Sequence, residues 1–185
     1  MFNEERVAQM AAFLLSKQGG RMPYLKLMKL LYLSDREAMS RFGESISGDR
    51  MVSMPHGPVL SQTLNLIKGG SEQPDGWEQW ISGEANYEVA TRHPKAERDD
   101  FDLLSDIEVE ILTRTWNDFG HMDQWALVNY THDNCSEWRD PNGSSYPISE
   151  ETLFLAVGKT PEMATIMAQH LREQRQLDEI TNGLR

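Results

Sequence analysis

The segment from Leu25 to Ala38 constrains the fold of this chain more than any other. It reads LKLMKLLYLSDREA, and Lys26 and Lys29 are the two charged residues among its first nine. A helix drawn through it is apolar on nearly all sides, so other elements must surround it. Pro23 suits the first helical turn, and Gly43 suits the position just after the helix ends. The sequence therefore predicts a buried central helix.

Helical patterns flank this segment, and a less regular stretch interrupts them. We expect the first helix to begin after Asn3, and we expect Pro58 in the first turn of a later helix. Met51 to Met54 has the pattern of a short strand, and the aromatic residues of 77–91 also favour strands. These patterns predict a mainly α (α+β) fold of about six to seven helices. A small antiparallel β element or flap in the middle would combine residues 50–54 with the aromatic segment.

We expect one domain over residues 1–185, since 185 residues suffice for one well-packed core. Within it, residues 71–103 would form the β flap or an irregular insertion that opens with a turn at Pro74-Asp75-Gly76. Ser105 and Glu108 have the spacing of a helix capping box. A C-terminal helix is expected over 160–185, with an inward-facing stripe. That stripe comprises Met163, Met167 and Leu171.

The net charge of −11 is unevenly distributed along the chain. Residues 1–68 contain nine Lys or Arg against six Asp or Glu, whereas the remainder contains nine against twenty-three. An acidic surface repels a phosphate backbone, which disfavours nucleic-acid binding outside the N-terminal part. It favours encounter with a basic protein partner, although acidity also serves solubility alone.

Compartment signals point to the cytoplasm and away from membranes. No apolar run approaches the ~18 residues of a membrane span, and the N-terminus MFNEERVAQM lacks a signal peptide's basic and apolar regions. Cys135, the single cysteine, cannot form an internal disulfide, which fits a reducing environment.

Signatures of catalysis, metal binding and cofactor binding are weak. His132 and Cys135 have H-x-x-C spacing, but a structural zinc site needs four nitrogen or sulfur ligands. No G-x-S-x-G or comparable nucleophile motif is present. Gly48-Asp49 and Gly57-Pro58 lack the lysine of a phosphate-binding loop, so we assign them to backbone geometry. We expect no catalytic residues, no metal and no cofactor.

Two groups of residues are candidates for partner binding. Lys29 and Arg36 follow Lys26 along one stripe of the central helix and could contact acidic groups of a partner. They could equally pair within the fold or extend their charged ends to solvent. The second group comprises Trp77, Trp80 and Tyr87, because tryptophan and tyrosine dominate interface hot spots. The alternative is that these rings pack on the protein's own helices.

Several of these motifs together resemble the Panacea domain, the SocA-like antitoxin module of bacterial and phage toxin–antitoxin pairs. The similarity rests on KLMKLLYLSD at 26–35, on Gly48-Asp49, on HGPV at 56–59 and on a later histidine–tryptophan segment. Two positions depart from the usual pattern: Ser34 replaces a small apolar residue, and His56 precedes the Gly-Pro step. The motif residues are Lys26, Lys29, Leu30, Tyr32, Asp35, Gly48, Asp49, Gly57, Pro58, Val59, His132 and Trp138.

The resemblance implies an antitoxin that neutralises a cognate, adjacent-encoded toxin by direct protein–protein contact, and no enzymatic activity. Given the acidic surface, we expect a basic toxin. Two alternatives remain open. The protein could be an adaptor that delivers its partner to a protease, or a small hydrolase that uses His132 with nearby acidic residues.

Overall fold

A computed structural model describes residues 1–70, 76–83 and 85–183 of the chain. Its fold is mainly α with two small antiparallel sheets, which confirms the predicted class. The described residues contain eight α-helices, one or two more than predicted. The helices are α1 (Glu4–Lys17), α2 (Tyr24–Phe42), α3 (Ser61–Ile67), α4 (Trp77–Trp80), α5 (Asp106–Phe119), α6 (Gln124–Asn134), α7 (Glu150–Ala156) and α8 (Pro161–Gly183). The strands are β1 (Arg21–Pro23), β2 (Met51–Met54), β3 (Gly57–Leu60), β4 (Ile81–Gly83), β5 (Glu88–Thr91) and β6 (Tyr146–Pro147).

Helix α2 is the predicted central helix, and it lies at the middle of the hydrophobic core. It contacts α1, α5, α6 and β3, and its Leu27, Met28 and Leu31 side chains are fully buried. Gly43 ends the helix in the left-handed conformation, with φ of 81°. The apolar, all-round pattern thus predicted the buried central position of this helix, and Gly43 predicted its end.

The N-termini of α1 and α5 are capped as the sequence predicts. The Asn3 side-chain oxygen accepts a hydrogen bond from the Arg6 backbone N–H at 2.9 Å. In α5, the Ser105 and Glu108 side chains each accept from the other residue's backbone N–H. These side chains satisfy amides that have no partner within their own helix.

The β structure differs from the single flap predicted, because the strands form two separate sheets. One has the order β1-β5-β4, and the other has the order β3-β2-β6. Strand β2 pairs with β3 in a tight hairpin, so residues 50–54 do not join the aromatic segment. Trp77 begins a helical turn instead of a strand, since its backbone N–H donates to Glu4 Oε1 of α1 at 2.9 Å. The predicted turn at 74–76 falls largely outside the described residues.

Pro58 lies in β3, so the prediction that it starts a helix is wrong. Helix α3 begins three residues later, at Ser61. Asp49 sets this start: its carboxylate accepts from the backbone N–H groups of Gln62 at 2.9 Å and Thr63 at 2.8 Å, and from the Thr63 hydroxyl at 2.7 Å. The capping residue is therefore distant in sequence, where a local pattern does not reveal it.

The inward face of α8 also differs from the prediction. Ala164, Ala168 and Leu171 are its buried residues, whereas Met163 is 50% exposed. The helix packs mainly against α7. Alanine side chains allow the two helix axes to approach closely, and this places Met163 on the outside.

We predict that Asp49→Ala lowers the free energy of unfolding by about 2–3 kcal/mol. The substitution leaves two backbone N–H groups of α3 and the Thr63 hydroxyl without their acceptor. Chemical denaturation followed by circular dichroism measures the change. Asp133→Ala, at an exposed position of α6, is the matched control and should change the value by less than about 0.5 kcal/mol. An equal effect of the two substitutions would contradict the capping role.

Candidate functional site

The two lysines of α2 point into the protein and donate to backbone carbonyls of distant segments. Lys26 Nζ lies 2.7 Å from the Gly120 oxygen and 5.4 Å from the centre of the Trp116 ring. Lys29 Nζ lies 2.8 Å from the Pro58 oxygen and is fully buried. Burial lowers the pKa of Lys29 to about 7, because removal from water destabilises the charged amine. Both lysines therefore bind within the fold, to backbone carbonyls and not to acidic side chains.

Tyr32 and Arg36 meet at a buried carboxylate, that of Glu137. The Tyr32 hydroxyl donates to Glu137 Oε1 at 2.5 Å, and Arg36 Nε donates to the same oxygen at 2.7 Å. Burial, with the negative charge of Glu137 next, raises the pKa of Tyr32. Sequence analysis missed Glu137, whose only signal is its place before Trp138 in a polar loop. Its partners lie more than 100 residues away.

Asp35 holds the loop that follows α2. Its Oδ1 accepts from the backbone N–H groups of Ile46 at 2.9 Å and Ser47 at 3.0 Å, and its Oδ2 accepts from the Ser47 hydroxyl. Burial raises the pKa of Asp35 to about 6, although the hydrogen bonds from Ser47 and Ile46 oppose this shift. Gly48 follows with φ of 68°, and a Cβ there would come within 2.6 Å of the Met1 backbone.

Gly57 permits the β2–β3 hairpin to approach α2 and α6. Its φ is 91°, and an added Cβ would lie 2.6 Å from Thr131 Oγ1 and 2.8 Å from Lys29 Nζ. Val59 follows in the same strand and is buried in the core. The glycine of the HGPV motif therefore serves close packing and backbone conformation.

His132 and Trp138 form a stacked pair beside this hairpin. Their ring centres are 4.0 Å apart and their planes differ by 14°. Trp138 Nε1 donates to the Met54 oxygen at 2.9 Å and so ties the loop after α6 to the hairpin. Burial, and then the charge of Lys29, lowers the pKa of His132. Within the described chain, His132 Nε2 has no hydrogen-bond partner.

Exposed aromatic residues continue from this pair to the hairpin tip. The rings of His56 and Trp125 form a T-shaped pair, with ring centres 5.6 Å apart and planes at 80°, and Trp125 is 53% exposed. His56 is close enough to His132 to affect its pKa. We call the group of His56, Trp125, His132 and Trp138 the hairpin-tip surface. Two exposed acidic residues, Asp133 and Asp140, act electrostatically on it.

Cys135 has the wrong environment for a nucleophile. It is buried, and burial followed by the charge of Glu137 raises its pKa to about 12. A thiol with that pKa is almost wholly protonated at neutral pH, and the thiolate is the reactive form. No cluster of three or more His, Cys, Asp or Glu side chains in the described parts of the chain has the arrangement of a metal site.

The aromatic candidates of the middle segment occupy three different environments. Trp77 is buried in the core, and Trp80 stacks on Phe101 with ring centres 5.8 Å apart. Tyr87 is 81% exposed, with its ring 6.3 Å from that of Tyr24. Tyr87 is therefore the one of the three that presents most of its ring to a partner, and partner binding by this segment stays a prediction.

A known family matches the segment that contains these residues. The profile of the family described as antitoxin SocA-like, Panacea domain, matches residues 27–139, more than half of the chain. The chain belongs to the Panacea-domain family. The matched segment runs from α2 to Arg139, so it includes Lys29, Glu137 and the whole hairpin-tip surface. No curated protein and no solved structure matches the chain. Over the described residues, no helix combines the length and apolarity that crossing a bilayer requires.

We predict that Gly57→Ala destabilises this Panacea domain by at least about 2 kcal/mol. The methyl group would displace Lys29 and Thr131 and would also strain the backbone. Gly143→Ala is the matched control, because Gly143 has a similar φ of 87° and open space around it. The control isolates backbone strain, so thermal or urea unfolding should show a clearly smaller loss for it. Equal losses of stability in the two variants would contradict the proposal that Gly57 is needed for close packing.

Proposed function

We propose that this chain is an antitoxin that neutralises a cognate protein toxin by binding it directly, with the hairpin-tip surface as the contact. Membership of the Panacea-domain family supports the antitoxin class. The observation that favours the contact site is the exposed Trp125–His56 pair inside the family-matched segment. Neutralisation would follow from occlusion, as the bound antitoxin covers the toxin's active site or substrate-binding face.

The packing beneath the hairpin-tip surface favours a preformed binding site. Trp138 is anchored to Met54, and Gly57 fits against the buried Lys29. A partner that docks on rings held in this way orders few side chains, so less conformational entropy is lost. Tryptophan at the centre of an interface is also the residue type that most often carries binding energy.

Charge favours a basic toxin. The chain has a net charge of −11, and Asp133 and Asp140 act electrostatically on His132 of the hairpin-tip surface. Opposite potentials raise the association rate, and salt screens the effect. Basic faces are typical of proteins that act on nucleic acid or nucleotides, so we propose a toxin of that kind. Equal association rates with a basic toxin at low and high salt would contradict this part of the proposal.

We predict that Trp125→Ala weakens toxin binding by about 30-fold and reduces protection of growth. This corresponds to loss of a hot-spot residue worth about 2 kcal/mol. The open reading frame adjacent to the gene is expressed alone and together with each variant. Growth is scored, and the dissociation constant is measured by calorimetry on the purified pair. Circular dichroism confirms that the variant remains folded, which its exposed position favours.

Two further variants define what the result means. Tyr87→Ala tests the alternative aromatic segment, and Ile107→Ala is a control with exposure similar to that of Trp125. Both should change the dissociation constant by less than about threefold. Loss of binding with Tyr87→Ala and not with Trp125→Ala would move the contact to the β4–β5 region.

A neighbouring protein that is harmless alone, or that never binds this chain, would overturn the proposed function. A shortened toxin half-life in cells would indicate delivery to a protease in place of occlusion.

A further inference from the structure

The outer face of α8 carries an apolar stripe that the rest of the described chain leaves uncovered. Its apolar members are between 50% and 66% exposed. They are Met163, Ile166, Leu177 and Ile180. They lie opposite Ala164, Ala168 and Leu171, which pack the other side of the helix against the protein. Apolar side chains with this regular spacing are typical of a helix that has a partner helix.

Two polar residues complete the stripe. His170 and Glu173 lie between the two apolar pairs, Met163 with Ile166 and Leu177 with Ile180. The six positions are then separated along the helix by three, four, three, four and three residues. This is the 3.5-residue period of a helix that packs lengthwise against another helix. Glu173 is held on this face by Gln169, whose side-chain amide donates to its Oε1 at 2.8 Å. The six positions extend along about 26 Å of helix.

The stripe is complementary to itself when it is reversed. If two copies of α8 pack antiparallel about a two-fold axis between residues 171 and 172, Met163 lies opposite Ile180 of the other copy and Ile166 lies opposite Leu177. His170 then lies opposite Glu173. Every apolar residue meets an apolar residue, and each ionisable residue meets one that can carry the opposite charge. The two-fold axis repeats each of these contacts.

A parallel pair of the same helices would be less favourable. It would place Glu173 against Glu173 and His170 against His170, and opposed like charges at a helix interface are destabilising. The positions that flank the stripe include Gln169, Gln174 and Gln176, which are uncharged and oppose neither arrangement. Charge therefore selects the antiparallel orientation.

We propose that the exposed face of α8 is a self-association surface, and that its occupant is α8 of a second copy of this chain in antiparallel orientation. The proposal concerns α8 alone and does not depend on the toxin-binding function. The interface is isologous, so association stops at the dimer.

Sedimentation velocity of the full chain over a range of concentrations tests the proposal. The wild type should shift from monomer to dimer as its concentration rises. Ile166→Glu should abolish the shift, because it places a carboxylate against Leu177 of the other copy at two symmetric points. The circular dichroism spectrum should remain unchanged, and so should the unfolding midpoint at concentrations where the wild type is monomeric, since Ile166 is exposed in the monomer. A wild type that is monomeric at every concentration would overturn the proposal.

Charge substitutions test the orientation. Glu173→Lys should weaken the dimer about tenfold, because the introduced lysine opposes His170 twice. His170→Glu should weaken it similarly. The double variant His170→Glu with Glu173→Lys should restore the dimer, since the exchanged charges again attract in an antiparallel pair. In a parallel pair the same double variant opposes like charges at both positions and remains weak, so failure of the rescue would overturn the antiparallel arrangement.

Glu179→Lys is the matched control for Glu173→Lys. It makes the same change of charge on the same helix at an exposed position away from the stripe. It should leave the dimer dissociation constant within about twofold of the wild type. If it weakens the dimer as much as Glu173→Lys, net charge and not the stripe controls association, and the proposal fails.

Discussion

Burial of polar side chains on α2 is the constraint on which the rest of the structure depends. Lys29, Tyr32 and Asp35 are fully buried on a helix whose buried residues are mostly apolar. A buried polar group without a partner costs about 1–3 kcal/mol, so each group must find one elsewhere in the chain. They find the hairpin carbonyl of Pro58, the carboxylate of Glu137 and the loop at Ser47. Three distant segments are thereby fixed over one helix.

This arrangement links the motif residues to the surface that we propose as the toxin contact. Lys29 binds the β2–β3 hairpin at the Pro58 carbonyl, and Trp138 binds it at Met54, next to the turn. In the proposed complex Lys29 need not touch the toxin to matter for binding, because it holds the hairpin that carries His56. Family-typical motif residues such as Lys29 can therefore be structural, while Trp125, the residue proposed to anchor the contact, lies outside the motif. Fold alone does not select a target, and the exposed rings and charges would differ between relatives with different partners.

Local signals predicted a large part of the fold from the sequence. The all-round apolar pattern of α2, the glycine at its end and the Ser105–Glu108 capping box each depend on residues within a few positions of one another. Predictions failed where the deciding contact is distant. Asp49 caps a helix that starts twelve residues later, and so Pro58 was placed in the wrong element. Glu137 was missed because its partners are on α2. Met163 was wrongly predicted to face inward, because helical spacing does not identify which face is buried.

The pH dependence of stability for the wild type and Lys29→Met tests the buried-polar account most directly. The pKa of Lys29 is about 7 in the folded protein, against about 10.4 when unfolded. Between these values the unfolded chain binds more protons, so wild-type stability rises with pH relative to the variant. We predict that the difference in unfolding free energy between the two proteins changes by about 2–3 kcal/mol from pH 7 to pH 9.5, in favour of the wild type. Parallel curves would show that Lys29 keeps its ordinary pKa in contact with water, which would contradict the account.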